Sequence, residues 1–157
     1  MTCKYPSEFK ILRLREIVGD DAGDSPDKIA AFWKASVPSA QWFVPEKECL
    51  CVVFLNTRRK ITGFALVSIG TLDTMLSHPR EVFKLAIVAG AASIVLCHNH
   101  PSGDPTPSEA DIQVTRDLIR AGQLLKIELC DHVIMGKESP ERLHGYCGLR
   151  ELGYFNM

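Results

Sequence analysis

The 157-residue chain lacks an excess of charge of either sign: 18 Lys and Arg stand against 19 Asp and Glu, a formal net charge of −1. That balance argues against a stand-alone electrostatic grip on nucleic acid, which needs a basic face. Long hydrophobic runs are missing too. The longest, LAIVAGAASIVLC at 85–97, is broken by Gly90 and falls short of the roughly 20 apolar residues of a membrane span. The amino-terminal MTCKYPSEFKILRLRE has no cationic segment leading into a long apolar core, so no secretory leader is expected. Six cysteines are scattered at 3, 49, 51, 97, 130 and 147 without Cys-x-x-Cys spacing. They are expected to be reduced thiols of a cytoplasmic protein, with Cys97 and Cys130 in the core. Aromatics are only 8% of the chain, and Trp33 and Trp42 read as packing anchors. No internal repeat or low-complexity segment is present.

What is there reads as alternating strands and helices. FKILRLREI (9–17) alternates apolar and charged residues, the period of a half-exposed strand. After a turn-rich linker, Ser25 and Pro26 open a helix to about Ser36. CLCVVFLN (49–56) and ITGFALVSIG (61–70) form a hairpin around the basic turn TRRK, which is expected to be solvated. A helix follows from Ser77, with Gly90 just past its end, then a buried strand from Ala92 to Cys97. A second helix is expected at about 107–121, capped by Thr106 with Pro107 at its first position and Glu109 completing a capping box, and with Gly122 beyond its end. KIELCDHVIMG (126–136) makes another strand, and the tail is hard to assign. This order predicts an α/β fold, a single domain with a mixed sheet flanked by helices.

The chemistry concentrates in CHNHPSGDPTPSEAD (97–111). If the strand before it continues, His98 and His100 project to one side and Asn99 to the other. Ser108 and Asp111, three apart, share a face of the helix that follows. Two histidines and a carboxylate that converge would leave a fourth tetrahedral position open, the pattern of catalytic rather than structural zinc. A pair of polar loop histidines is the alternative.

His98-Asn99-His100-Pro101, followed by Ser108 and Asp111, resembles the JAMM (MPN-plus) metalloprotease motif, His-x-His-Pro and then Ser-x-x-Asp. The longer string HNHPSGDPTPSEAD, with PRE at 79–81 before it and DH at 131–132 after it, closely resembles the bacterial RadC family. The likeness covers roughly residues 45–157, with a strand–helix extension at 1–44 similar to that of short RadC-like JAB proteins. The helix-hairpin-helix segment of longer members is not apparent.

The resemblance implies a JAB/MPN, cytidine-deaminase-like architecture and one zinc ion per chain held by His98, His100 and Asp111. It implies that Ser108 helps hold a developing oxyanion and that a Glu at the start of an earlier strand is the general base. Glu48 is the best match, in E-C-L-C-V-V-F-L, where Leu50 replaces the family's aromatic; Glu46 and Glu81 are the other candidates. Asp131 and His132 are either a hydrogen-bonded pair closing a strand or residues that orient a ligand. Near the end, Gly148 stands where the family often has Ser.

Two functions compete. One is a JAMM-type zinc hydrolase acting on a peptide or isopeptide bond of a protein or peptide substrate. The other is a non-hydrolytic accessory protein in DNA repair, recombination or mobile-element maintenance; the near-neutral charge and the missing helix-hairpin-helix segment count against direct DNA binding. A zinc nucleoside deaminase needs His-x-Glu and Pro-Cys-x-x-Cys; neither is present.

Overall fold

The computed structural model describes residues 20–70 and 77–156. The expected strand at 9–17 lies outside them. Helix α1 (Pro26–Ser36) turns Ile29, Ala30, Phe32 and Trp33 to the core, and Pro26 takes the first turn as expected. Strands β1 (Glu48–Leu55) and β2 (Ile61–Gly70) form the antiparallel hairpin. Helix α2 (Pro79–Val88) leads into β3 (Ser93–Asn99). Helix α3 (Glu109–Leu125) then crosses to β4 (Glu128–Met135), and the short β5 (Tyr146–Gly148) closes the sheet. The sheet order is β2-β1-β3-β4-β5. Among the described residues only β3 and β4 are parallel neighbours, and a parallel pair needs a crossover such as α3.

The sheet separates two apolar layers. On one face Cys51, Val53, Leu55, Val95, Cys97 and Val133 pack against α1, with Trp42 and Phe43 beside them. On the other, Leu50, Val52, Phe54, Ile94 and Leu96 meet Val82, Phe83 and Ala86 of α2 and Val114 and Leu118 of α3. Strands β1 and β3 therefore read as nearly continuous apolar runs because both faces are covered. Each fully buried Val, Leu or Ile contributes about 1.5–3 kcal/mol.

Several local expectations shift. His78, not Ser77, caps α2, its side chain accepting the Arg80 N–H. Gly90 takes a left-handed φ of 65° just past that helix, as expected. The basic turn is not fully solvated: Arg59 reaches β4, bonding Glu128 at 2.9 Å and the thiol of Cys130. Gly122 lies inside α3 rather than beyond it. A Cβ there would collide with the carbonyl of Ile127 and stand 3.2 Å from the Phe83 ring, so the glycine makes room for the backbone entering β4 and, beside it, for α2. The helix ends instead at Lys126, in the left-handed region.

Candidate metal centre

The carboxyl ends of β3 and β4 lie side by side, and α3 begins in front of them, the usual crevice of an α/β sheet. Strand β3 carries His98 on the face that meets α2 and α3, since Leu50, its partner on β1, packs in that layer. His98 is fully buried and His100, just past the strand, is partly buried.

Ser108, not Thr106, caps α3, and Asp111 rather than Glu109 completes the capping box. Thr106 is drawn away by Asp104, whose Oδ1 accepts both its N–H at 3.0 Å and its hydroxyl at 2.7 Å. The cap also sets the site. Asp111 Oδ2 accepts the Ser108 N–H at 2.7 Å and the Ser108 hydroxyl at 2.8 Å. That leaves Oδ1 buried with no hydrogen bond of its own.

Oδ1 lies 3.2 Å from His98 Nε2, and His98 Nε2 lies 3.0 Å from His100 Nε2. The ring of His100 is oriented by its other nitrogen: Nδ1 is 2.7 Å from the backbone oxygen of Asp104. A carbonyl only accepts, so Nδ1 carries the proton and Nε2 presents a lone pair. One ligand atom from each of His98, His100 and Asp111 lies within 4.8 Å of the others. Crowded acceptors and an orphaned buried carboxylate oxygen call for a cation at their centre. The donor set of two imidazoles and one carboxylate therefore fits a divalent metal.

Burial pushes the Asp111 carboxyl up, but His100, His98 and the Ser108 N–H outweigh it and hold it well below the usual range. His100 is raised chiefly by the Asp111 carboxylate, against its partial burial, with Glu48 adding to the rise. Glu48 opens β1 two residues before Leu50, at the level of His100 and on the same sheet face. Glu81 lies on α2 in contact with Lys84 at 2.7 Å and Arg80 at 3.6 Å. Glu46 lies exposed in the turn before β1.

Four residues behind the site support it: Asn99, Asp131, His132 and Thr115. Asn99 points to the opposite face, where Oδ1 accepts the Cys49 N–H at 2.9 Å and Nδ2 donates to the Lys47 carbonyl at 3.0 Å. Its amide thereby brackets Glu48. Strand alternation gave its direction, not its partners. The Asp131–His132 pair divides its work. Asp131 Oδ1 accepts the His132 N–H at 2.7 Å and the Arg150 N–H at 3.0 Å, tying the tail to β4. His132 points to the other face, fully buried, 2.9 Å from His98. Its burial, and then the neighbouring His98, lower its pKa well below the imidazole norm. Thr115, one helical turn past Asp111, touches His132, and nothing in the local sequence marks it. At Gly148 a Cβ would stand 2.9 Å from Asp131 Oδ2 and 3.1 Å from Pro26. This chain has glycine there because α1 and Asp131 press against it.

Fold and site together define an α/β domain with a mixed sheet and a buried His–His–Asp group able to hold a metal ion. A family model described as RadC-like JAB domain matches residues 24–152, and the chain belongs to that family. It is similar to UPF0758 proteins. One from Caldanaerobacter subterraneus is 49% identical over 110 residues, 70% of this chain and 45% of that one. One from Moorella thermoacetica is 54% identical over 91 residues, 58% and 40% of the two chains. One from Chlorobaculum parvum is 55% identical over 92 residues, 59% and 41%. The chain spans less than half the length of these curated relatives. Among the described residues no helix is long and apolar enough to cross a membrane.

Proposed function

We propose that the chain is a zinc-dependent hydrolase of the JAMM type, cleaving a peptide or isopeptide amide in a protein or peptide substrate. The carrying observation is the convergence of ligand atoms from His98, His100 and Asp111, with Glu48 on the same face. Two imidazoles and a carboxylate with a fourth position left over is the donor set of catalytic rather than structural zinc. When bound, zinc would acidify a water toward neutral pH and polarise the scissile carbonyl.

The chain's own residues supply the rest. Glu48 takes the proton of the attacking water on its carboxylate and returns it to the leaving nitrogen, a role worth roughly 10²–10⁴-fold. Asn99 fixes the backbone on both sides of Glu48, so the base has a set position relative to His100. Ser108 holds the oxyanion once its hydroxyl turns from Asp111 Oδ2 toward the substrate. Its backbone N–H stays on Oδ2 and keeps the carboxylate anchored.

The test is elemental analysis combined with turnover of a verified substrate. About one zinc per chain is expected, lost in His98→Ala and in Asp111→Ala. Glu48→Gln should keep zinc and lose turnover; full activity in that variant would remove Glu48 as the base. Wild-type protein that holds zinc but cleaves no peptide or isopeptide would instead favour the accessory role. A salt-dependent DNA titration then decides whether that role includes direct contact.

A further inference from the structure

Behind His98 lies a chain of hydrogen bonds with no contact to the open side of the site. The hydroxyl of Thr115 is 2.7 Å from the backbone oxygen of Asp111 and 2.7 Å from His132 Nδ1. His132 Nε2 is 2.9 Å from His98 Nδ1. Thr115, His132 and His98 are all 0% exposed, so solvent cannot relax the pattern.

The proton positions follow from the one member that has no choice. The Asp111 carbonyl can only accept, so Thr115 donates its single proton there, as helical Thr often does one turn back. The Thr115 oxygen must then accept from His132, which places the His132 proton on Nδ1. A singly protonated His132 offers a bare Nε2, which accepts from His98 Nδ1–H. The remaining nitrogen of His98, Nε2, is left with its lone pair aimed at His100 and Asp111 Oδ1.

We propose that Thr115 and His132 are positioning residues that lock His98 in its metal-ready tautomer and ring orientation. Both ends of this relay rest on the start of α3: Asp111 offers its side chain to the site and its carbonyl to Thr115. The inference rests on the metal reading above, and it adds two residues that act only through His98.

Zinc competition against a chromophoric chelator tests it, with unfolding curves confirming that each variant is folded. Thr115→Val, close in shape but without the hydroxyl, should weaken zinc binding about 10–100-fold, the usual effect of removing such a partner. Thr115→Ser should restore it. His132→Gln, whose amide oxygen can accept from His98 Nδ1–H, should bind zinc more tightly than His132→Leu. A packing role reverses that order, because Leu suits a buried apolar site better than Gln. Equal affinity of Thr115→Val and wild type overturns the proposal, as does tighter binding by His132→Leu than by His132→Gln. Long-range proton–nitrogen correlation spectra of the metal-free protein separate this outcome from failure of the zinc reading. His132 should appear with its proton on Nδ1, and a proton on Nε2 instead overturns the relay whether or not the protein binds zinc.

Discussion

Asn99 stands between two histidines that face the site, yet its own amide serves the opposite edge of the strand. Replacing it with Ala leaves the buried Cys49 N–H and the Lys47 carbonyl without their partners. An unsatisfied buried group costs about 1–3 kcal/mol. Asn99→Ala is therefore expected to lower the urea midpoint by an amount in that range without changing the slope of the transition. Zinc content should persist, because no ligand atom is touched, while turnover falls because the segment carrying Glu48 is no longer pinned. Loss of zinc with unchanged stability would contradict this account. The shared side of His98 and His100 was legible from strand alternation, while Asp111 joined them through the resemblance to the JAMM motif. His132 was legible only as one of two readings, and Thr115 not at all, because their roles depend on the parallel register that sets Leu96 beside His132. A register between strands separated by a helix leaves no local mark on either segment.

At the scale of elements, the site loop is held in place by a glycine on its neighbour. Gly136 follows β4, and a Cβ there would stand 2.8 Å from Cδ and 2.9 Å from N of Pro105, and would overlap the carbonyl of Gly103. The same loop is tied by Lys137 N–H to Gly103 O at 2.8 Å and by the Arg142 guanidinium to Gly103 O at 2.8 Å. Gly136→Ala should push this loop away and shift the Asp104 carbonyl that orients His100. The expected result is a measurable loss of stability, by thermal unfolding, together with weaker zinc binding. An alanine variant with wild-type zinc affinity would show that the loop adapts. Element types were legible from period and length, including the hairpin and both helices around the site. Their ends were less so. Thr106 and Ser108 are both good caps, and the competition was decided by Asp104, which engages Thr106 from outside the helix. The three-residue β5 has no periodicity to read; it exists because β4 offers it an edge.

At the scale of the whole molecule, the proposed metal site would couple metal occupancy to folding. Ligands come from the end of β3, the loop beyond it and the start of α3, so an unfolded chain does not present the same set. Free zinc at 100 times its dissociation constant would stabilise the native state by about 2.7 kcal/mol. For a chain of this size that is roughly 5–10 °C in Tm. Chelation should lower Tm by that amount in wild type and leave Tm unchanged in His98→Ala, read by differential scanning calorimetry. The near-zero charge balance and the covered sheet faces fit a domain whose distinctive chemistry lies at one end of the strands.

Asp111 holds two posts at once: Oδ2 starts a helix and Oδ1 faces the site. The histidines have no comparable duty to the helix. In a lineage that abandoned the metal, His98 and His100 would be free to drift, whereas Asp111 would still be retained for the sake of α3. Between two descendants of this fold, a surviving aspartate at this position would therefore say little about activity, and the fate of the histidine pair would say most.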